Sequence, residues 1–194
     1  MYQHCLRARP GFAVKDSECE FVWLEEWTQA SGFEYHASGT TYNTHFHTTA
    51  GADGKGVDAY TDERCLVYAG PQGLQLLPSE DYMKQTTSRK DHVFVVSHVH
   101  VHANKVAEFL TKAATLLPHC RAEEGNIYEN LYRETSSGPV VGGDPCAFVW
   151  MEEWASEGAF QNHLNAPHVQ AFWESAVDIY DQEEQIYTFF GPEF

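Results

Sequence analysis

From Val93 to His102 the chain reads Val-Phe-Val-Val-Ser-His-Val-His-Val-His, an apolar block that passes into strict alternation. A period of two is the signature of a β-strand. The spacing then changes. Val106, Phe109, Leu110, Ala113, Leu116 and Leu117 recur at intervals of three and four and fall on one stripe of a helix, with Pro118 and Gly125 marking its exit. Strands are predicted over 127–134, 146–154 and 185–190, with a loop over 135–145 and a helix over about 156–177. Ser156 is placed to cap that helix, and Pro167 should kink or split it. The order is βαββαβ, the ferredoxin-like arrangement of the α+β class.

The same pattern occurs earlier in a shorter form. Cys19-Glu20-Phe21-Val22-Trp23-Leu24-Glu25-Glu26-Trp27 returns as Cys146-Ala147-Phe148-Val149-Trp150-Met151-Glu152-Glu153-Trp154, with Trp27 and Trp154 at an offset of 127. Phe33 and His36 match Phe160 and His163 at that offset, and Tyr2 and Arg7 match Tyr128 and Arg133 at 126. Residues 64–69 before Gly70-Pro71 pair with 185–190 before Gly191-Pro192. A repeat of this length implies a duplicated unit. The chain is expected to divide into a first repeat over 1–71 without its first strand and helix, a linker over 72–91, and a complete unit over 92–194. In ferredoxin-like order 4-1-3-2 the missing strand would lie between two that are present. Leu74-Gln75-Leu76-Leu77 is a weak candidate to fill its place.

Composition narrows the classes. The 194 residues are 43% hydrophobic and 14% aromatic, suited to a packed fold. Twelve basic against 28 acidic residues give a formal charge of −16, the wrong balance for a phosphate backbone or an anionic membrane surface. No apolar run reaches the roughly 20 residues of a membrane span, and Met1-Tyr2-Gln3-His4 begins neither a signal nor a transit peptide. Five cysteines without a CxxC spacing read as reduced thiols in a cytoplasmic protein.

Val101-His102-Ala103-Asn104-Lys105 before the amphipathic helix, the exit Arg121-Ala122-Glu123-Glu124-Gly125, Tyr128, Phe148–Trp154 and Phe160-Gln161-Asn162-His163-Leu164-Asn165-Ala166-Pro167-His168 together resemble the antibiotic biosynthesis monooxygenase family. The likeness covers nearly all of 92–194, and the first unit resembles the family from its second strand onward, with Thr40-Thr41 where Pro167-His168 stand. The resemblance implies ferredoxin-like units that pair as a dimeric α+β barrel, here as an intramolecular pseudo-dimer, with further self-association open. It also implies a small-molecule substrate and cofactor-independent oxygenation of an electron-rich aromatic or quinol. A non-catalytic small-molecule-binding or stress-response barrel is the alternative. Haem degradation is disfavoured, because Ser97 and Trp173 stand where haem-degrading relatives carry Asn and His.

His163 is the first candidate for catalysis, since an imidazole can move a proton near neutral pH. Glu152 is its expected orienter, because a buried carboxylate needs a partner. Trp154, Trp173, Tyr128, Ser97 and His168 are candidate substrate contacts, while Phe148, Trp150, Glu152 and Trp154 share one strand face. His98, His100 and His102 tempt a metal reading, but alternate strand residues stand roughly 7 Å apart. They are assigned to a polar interior or interface instead, and neither a metal nor a cofactor is expected. His36 is a weaker candidate, and His45-Phe46-His47 is weak as a metal motif.

Overall fold

The structure is a computed structural model and describes residues 2–8, 21–27, 29–39, 68–72, 74, 89–135 and 143–190. Its elements run β1 (Tyr2–Ala8), β2 (Phe21–Glu26), α1 (Ala30–Ser38), β3 (Tyr68–Ala69), β4 (Val93–His100), α2 (Val106–Arg121), β5 (Asn126–Glu134), β6 (Ala147–Trp154), α3 (Glu157–Leu164), α4 (Pro167–Ala176) and β7 (Gln185–Phe190). Among the described residues, seven strands form one antiparallel sheet in the order β2-β1-β7-β4-β6-β5-β3. Its centre, β7-β4-β6-β5, is the 4-1-3-2 order of a ferredoxin-like unit, so the α+β reading of the second half is realised.

The first half contributes strands to both ends of that sheet. β1 pairs with β7 through Arg7 opposite Phe190 and Ala8 opposite Phe189, and it carries β2 on its other side. β3 pairs with β5 through Tyr68 opposite Glu134 and Ala69 opposite Arg133. The two strands expected to flank the missing one, β2 and β3, therefore stand at opposite edges among the described residues. Leu74 packs against the core of the second half; Gln75–Leu77, Thr40-Thr41, His45–His47 and most of the expected strand 64–69 lie outside the described residues.

Alternation decides what each sheet face buries. Val99, Val101, Leu131, Phe148 and Trp150 meet the apolar side of α2 and α4 through Phe109, Ala113, Leu116, Leu117, Val169 and Phe172. Phe94, Val96, Tyr132, Val149 and Phe189 pack on the opposite face. His98 lies there too, with Nδ1 hydrogen-bonded to Tyr68 Oη (3.0 Å), while His100 and His102 both turn to Asp181 (3.1 Å each). His100 and His102 thus meet at one carboxylate while His98 bonds Tyr68, so the three do not share one partner. No described helix is long and apolar enough to cross a membrane.

Two prolines behave differently. Pro167 divides the expected 156–177 helix, ending α3 at Leu164 and occupying the first turn of α4, where its missing N–H removes no bond. Ser156 caps α3, accepting from the Ala159 amide (3.2 Å). Pro118, expected to mark a helix exit, lies inside α2 instead. The helix continues to Arg121 because that turn is anchored: Cys120 is wholly buried, and Arg121 donates to the Glu129 carbonyl (2.9 Å) and Asn130 Oδ1 (2.7 Å).

Gly125 sets how closely the exit of α2 approaches α3. Its φ is +88°, and a Cβ there would sit 2.6 Å from the Ala159 Cβ. Gly125→Ala is expected to destabilise by about 1–3 kcal/mol through overpacking, with added left-handed strain. Gly158→Ala, in helix α3 with its nearest neighbour at 3.8 Å, is expected to be neutral or stabilising by up to about 1 kcal/mol. Urea unfolding of both variants checks the contrast.

Candidate functional site: a histidine–carboxylate centre under two helices

Strand parity and helix spacing bring the site together. On β6, Glu152 and Trp154 alternate toward the helices, and the Trp154 indole donates to Glu152 Oε2 (2.8 Å). His163, near the end of α3, lies over that indole with ring centroids 4.4 Å apart and Phe160 one turn earlier. It is 5% exposed. Its Nδ1 donates to Glu123 Oε1 (2.9 Å), and His168 Nε2, from the first turn of α4, donates to the same oxygen (2.7 Å). His163 Nε2 then faces Glu152 Oε2 at 3.9 Å. An imidazole held by a carboxylate at one nitrogen presents the other as a proton acceptor.

Glu152 is therefore beside His163, as expected, but Glu123 is the group that orients the ring. Ser97 and Trp173 also line the central cavity. Ser97 donates a short hydrogen bond to Glu184. Tyr128 does not belong to the site. A β-bulge between Asn126 and Tyr128 sets the register so that Tyr128 opposes Glu153, and its side chain packs on the far face of the sheet with Tyr132 and Asn130. The helix-facing residue is its neighbour Glu129, opposite Glu152 and 2% exposed.

The cavity holds several acids. Burial raises Glu129 well above the usual carboxylate range, with Glu152 adding repulsion, and burial raises Glu152 while His163 and the Trp154 indole oppose the rise. Glu184 is pushed up to about 7 by burial, against hydrogen bonds from Ser97 and Trp173. Cys120, beneath Glu123, is held as a thiol by burial and by Glu129, Glu123 and Glu152 around it. Sequence reasoning missed Glu129, Glu184, Cys120 and the role of Glu123. Strand parity could have found Glu129.

The inner cavity is about 30 Å³. That suits one or two water-sized molecules, which need roughly 10–15 Å³ each, but not an aromatic ring. Outside it lies an open groove of about 550 Å³ lined by Trp173, Val177, Tyr180, Asp181, Gln182, Glu183 and Glu184. Trp173 and Glu184 line both spaces.

Part of this geometry occurs twice. In the first half the Trp27 indole donates to Glu25 Oε2 (3.0 Å), His36 lies over Trp27 at 5.0 Å, and His36 Nε2 stands 3.7 Å from Glu25.

An α+β unit with a histidine–carboxylate centre between helices and sheet defines the class. Residues 92–175 match the sequence profile of the antibiotic biosynthesis monooxygenase family. The chain is 32% identical over 80 residues to YcnE of Bacillus subtilis, whose name provisionally makes it a monooxygenase; the match covers 41% of this chain and 77% of that protein. It is also 23% identical over 111 residues to the uncharacterised protein sll1783 of Synechocystis, covering 57% and 71%. The chain belongs to the antibiotic biosynthesis monooxygenase family. Among solved structures, it is similar to a conserved protein from Methanosarcina mazei, with 24% identity, a TM-score of 0.48, and 54% and 96% of the two chains covered.

Glu184 gives the site a pH signature. Its raised folded value, about 7 against an ordinary 4.5, means the folded state keeps a proton that the unfolded state releases. Its contribution is fully present below about pH 4.5 and is lost as pH rises toward 7, on the order of 3 kcal/mol in all. Glu184→Gln is expected to flatten the fall in stability across that window, as urea unfolding at stepped pH would show. An unchanged slope would contradict the placement of Glu184.

Proposed function

We propose that this chain is a cofactor-independent monooxygenase of the family's kind, acting on an electron-rich aromatic or quinol-type molecule. The observation that carries the reading is the imidazole of His163, fixed at Nδ1 by Glu123 and with Nε2 near Glu152, beside a cavity large enough for dioxygen. The substrate would lie in the outer groove against Trp173, with Glu184 at the boundary between groove and cavity. For an anthrone-type methylene, loss of a proton gives a carbanion that can reduce dioxygen itself. One oxygen atom becomes the new carbonyl, and the other leaves as water with the two methylene hydrogens. The protein's part is to take up the proton, orient the ring and limit access of bulk water.

In this reading the first half acts as an intramolecular pseudo-dimer partner, its strands extending both edges of the second unit's sheet. The small inner cavity supports a second reading, a non-catalytic ligand-binding barrel that retains the polar centre without turning over.

Oxygen uptake in the presence of anthrones and dihydroxynaphthalenes separates the two. The wild type is expected to consume oxygen with at least one of them, and His163→Ala to lower the rate by about 10²-fold or more. Uptake that is unchanged in His163→Ala would remove His163 from the chemistry. No uptake by wild type with the whole panel would favour the non-catalytic barrel.

A further inference from the structure

The corner where α2 ends against α3 brings together donor atoms suited to a metal. Cys120 Sγ, a carboxylate oxygen of Glu123 and a ring nitrogen of His163 all lie within 4.8 Å of one another. Thiolate, carboxylate and imidazole are the ligand types of borderline ions such as zinc, and a three-ligand set leaves one position open.

The surroundings favour a cation in three ways. First, the thiol lies among the carboxyl groups of Glu129, Glu123 and Glu152, further oxygen atoms around the three donors. Second, Cys120 and His163 each lie in the last turn of a helix, α2 and α3, and Glu123 lies just beyond the end of α2, and the C-terminal turn of a helix favours positive charge. Third, His168 donates to Glu123 Oε1 from outside the trio, the kind of support that holds a ligating carboxylate in place. An approach is available as well: His168 is 30% and Glu123 14% exposed at the side chain, while Cys120 forms a wholly buried floor.

We propose that Cys120, Glu123 and His163 form a binding site for a single divalent transition-metal ion of the zinc class, with His168 positioning Glu123. Binding displaces the thiol proton and occupies His163, so the ion and proton transfer through that histidine exclude each other. The site is independent of the monooxygenase reading, because it requires only the donor atoms. The donors that converge come from the ends of two helices and not from the His98–His102 alternation.

The test uses the full chain, freed of metal with a chelator and titrated with Co²⁺ as a spectroscopic probe for zinc. One equivalent is expected to produce a thiolate-to-cobalt charge-transfer band in the near ultraviolet and tetrahedral d–d bands in the visible. Cys120→Ser should abolish the charge-transfer band. His168→Gln, at a partly exposed position that folding tolerates more readily, should weaken binding by roughly 10- to 100-fold while keeping the band. Stoichiometric binding without a thiolate band would overturn the proposal, as would loss of binding in Asp181→Asn with none in His168→Gln, which would place the ion at the surface cluster of His100, His102 and Asp181. Absence of binding by the wild type would overturn it as well. Oxygen uptake is not the readout, so failure here leaves the proposed oxygenation standing.

Discussion

The bond from the Trp154 indole to Glu152 is the interaction around which the site is arranged. A carboxylate with a side chain only 10% exposed would be costly without partners. The indole two residues along the same strand face supplies a donor at 2.8 Å, and the body of that indole is the surface on which His163 rests. One tryptophan therefore anchors the acid, supports the imidazole and fills the core, being wholly buried itself. The spacing Glu-x-Trp is what a β-strand needs to put both groups on one side.

The duplicated string shows which part of the centre travels with that spacing. Glu25, Trp27 and His36 reproduce the carboxylate, indole and imidazole of the second half, with similar separations. Cys120 and Glu123 come from the exit of α2 and not from the repeated string. The oriented imidazole thus depends on a helix end as well as on the strand. Gly125 makes that arrangement possible by allowing the chain leaving α2 to pass against Ala159.

Much of the second half was legible from periodicity alone. The alternation in β4 and β6 and the three-four spacing in α2 report burial directly, and Ser156 and Pro167 carry their local consequences wherever they occur. Residues whose position depends on register or on distant partners were harder to read. Tyr128 was a candidate substrate contact, but the bulge beside it and the parity of β5 put it on the other face. Pro118 looked like a stop, yet burial of Cys120 and the bonds of Arg121 carry the helix past it. Glu123 meets His163 across 40 residues, and no local pattern announces such a meeting. Glu184, just before β7, has no motif at all.

The central claim is that the complete centre, with its oriented imidazole, is the working one, and that the Glu25–Trp27–His36 copy is structural. Steady-state oxygen uptake by His36→Gln and His163→Gln, measured side by side with a substrate that the wild type turns over, tests it most directly. The account predicts that the loss of rate is confined to His163→Gln and that His36→Gln stays close to wild type. Equal losses in the two variants, or a loss confined to His36→Gln, would contradict it.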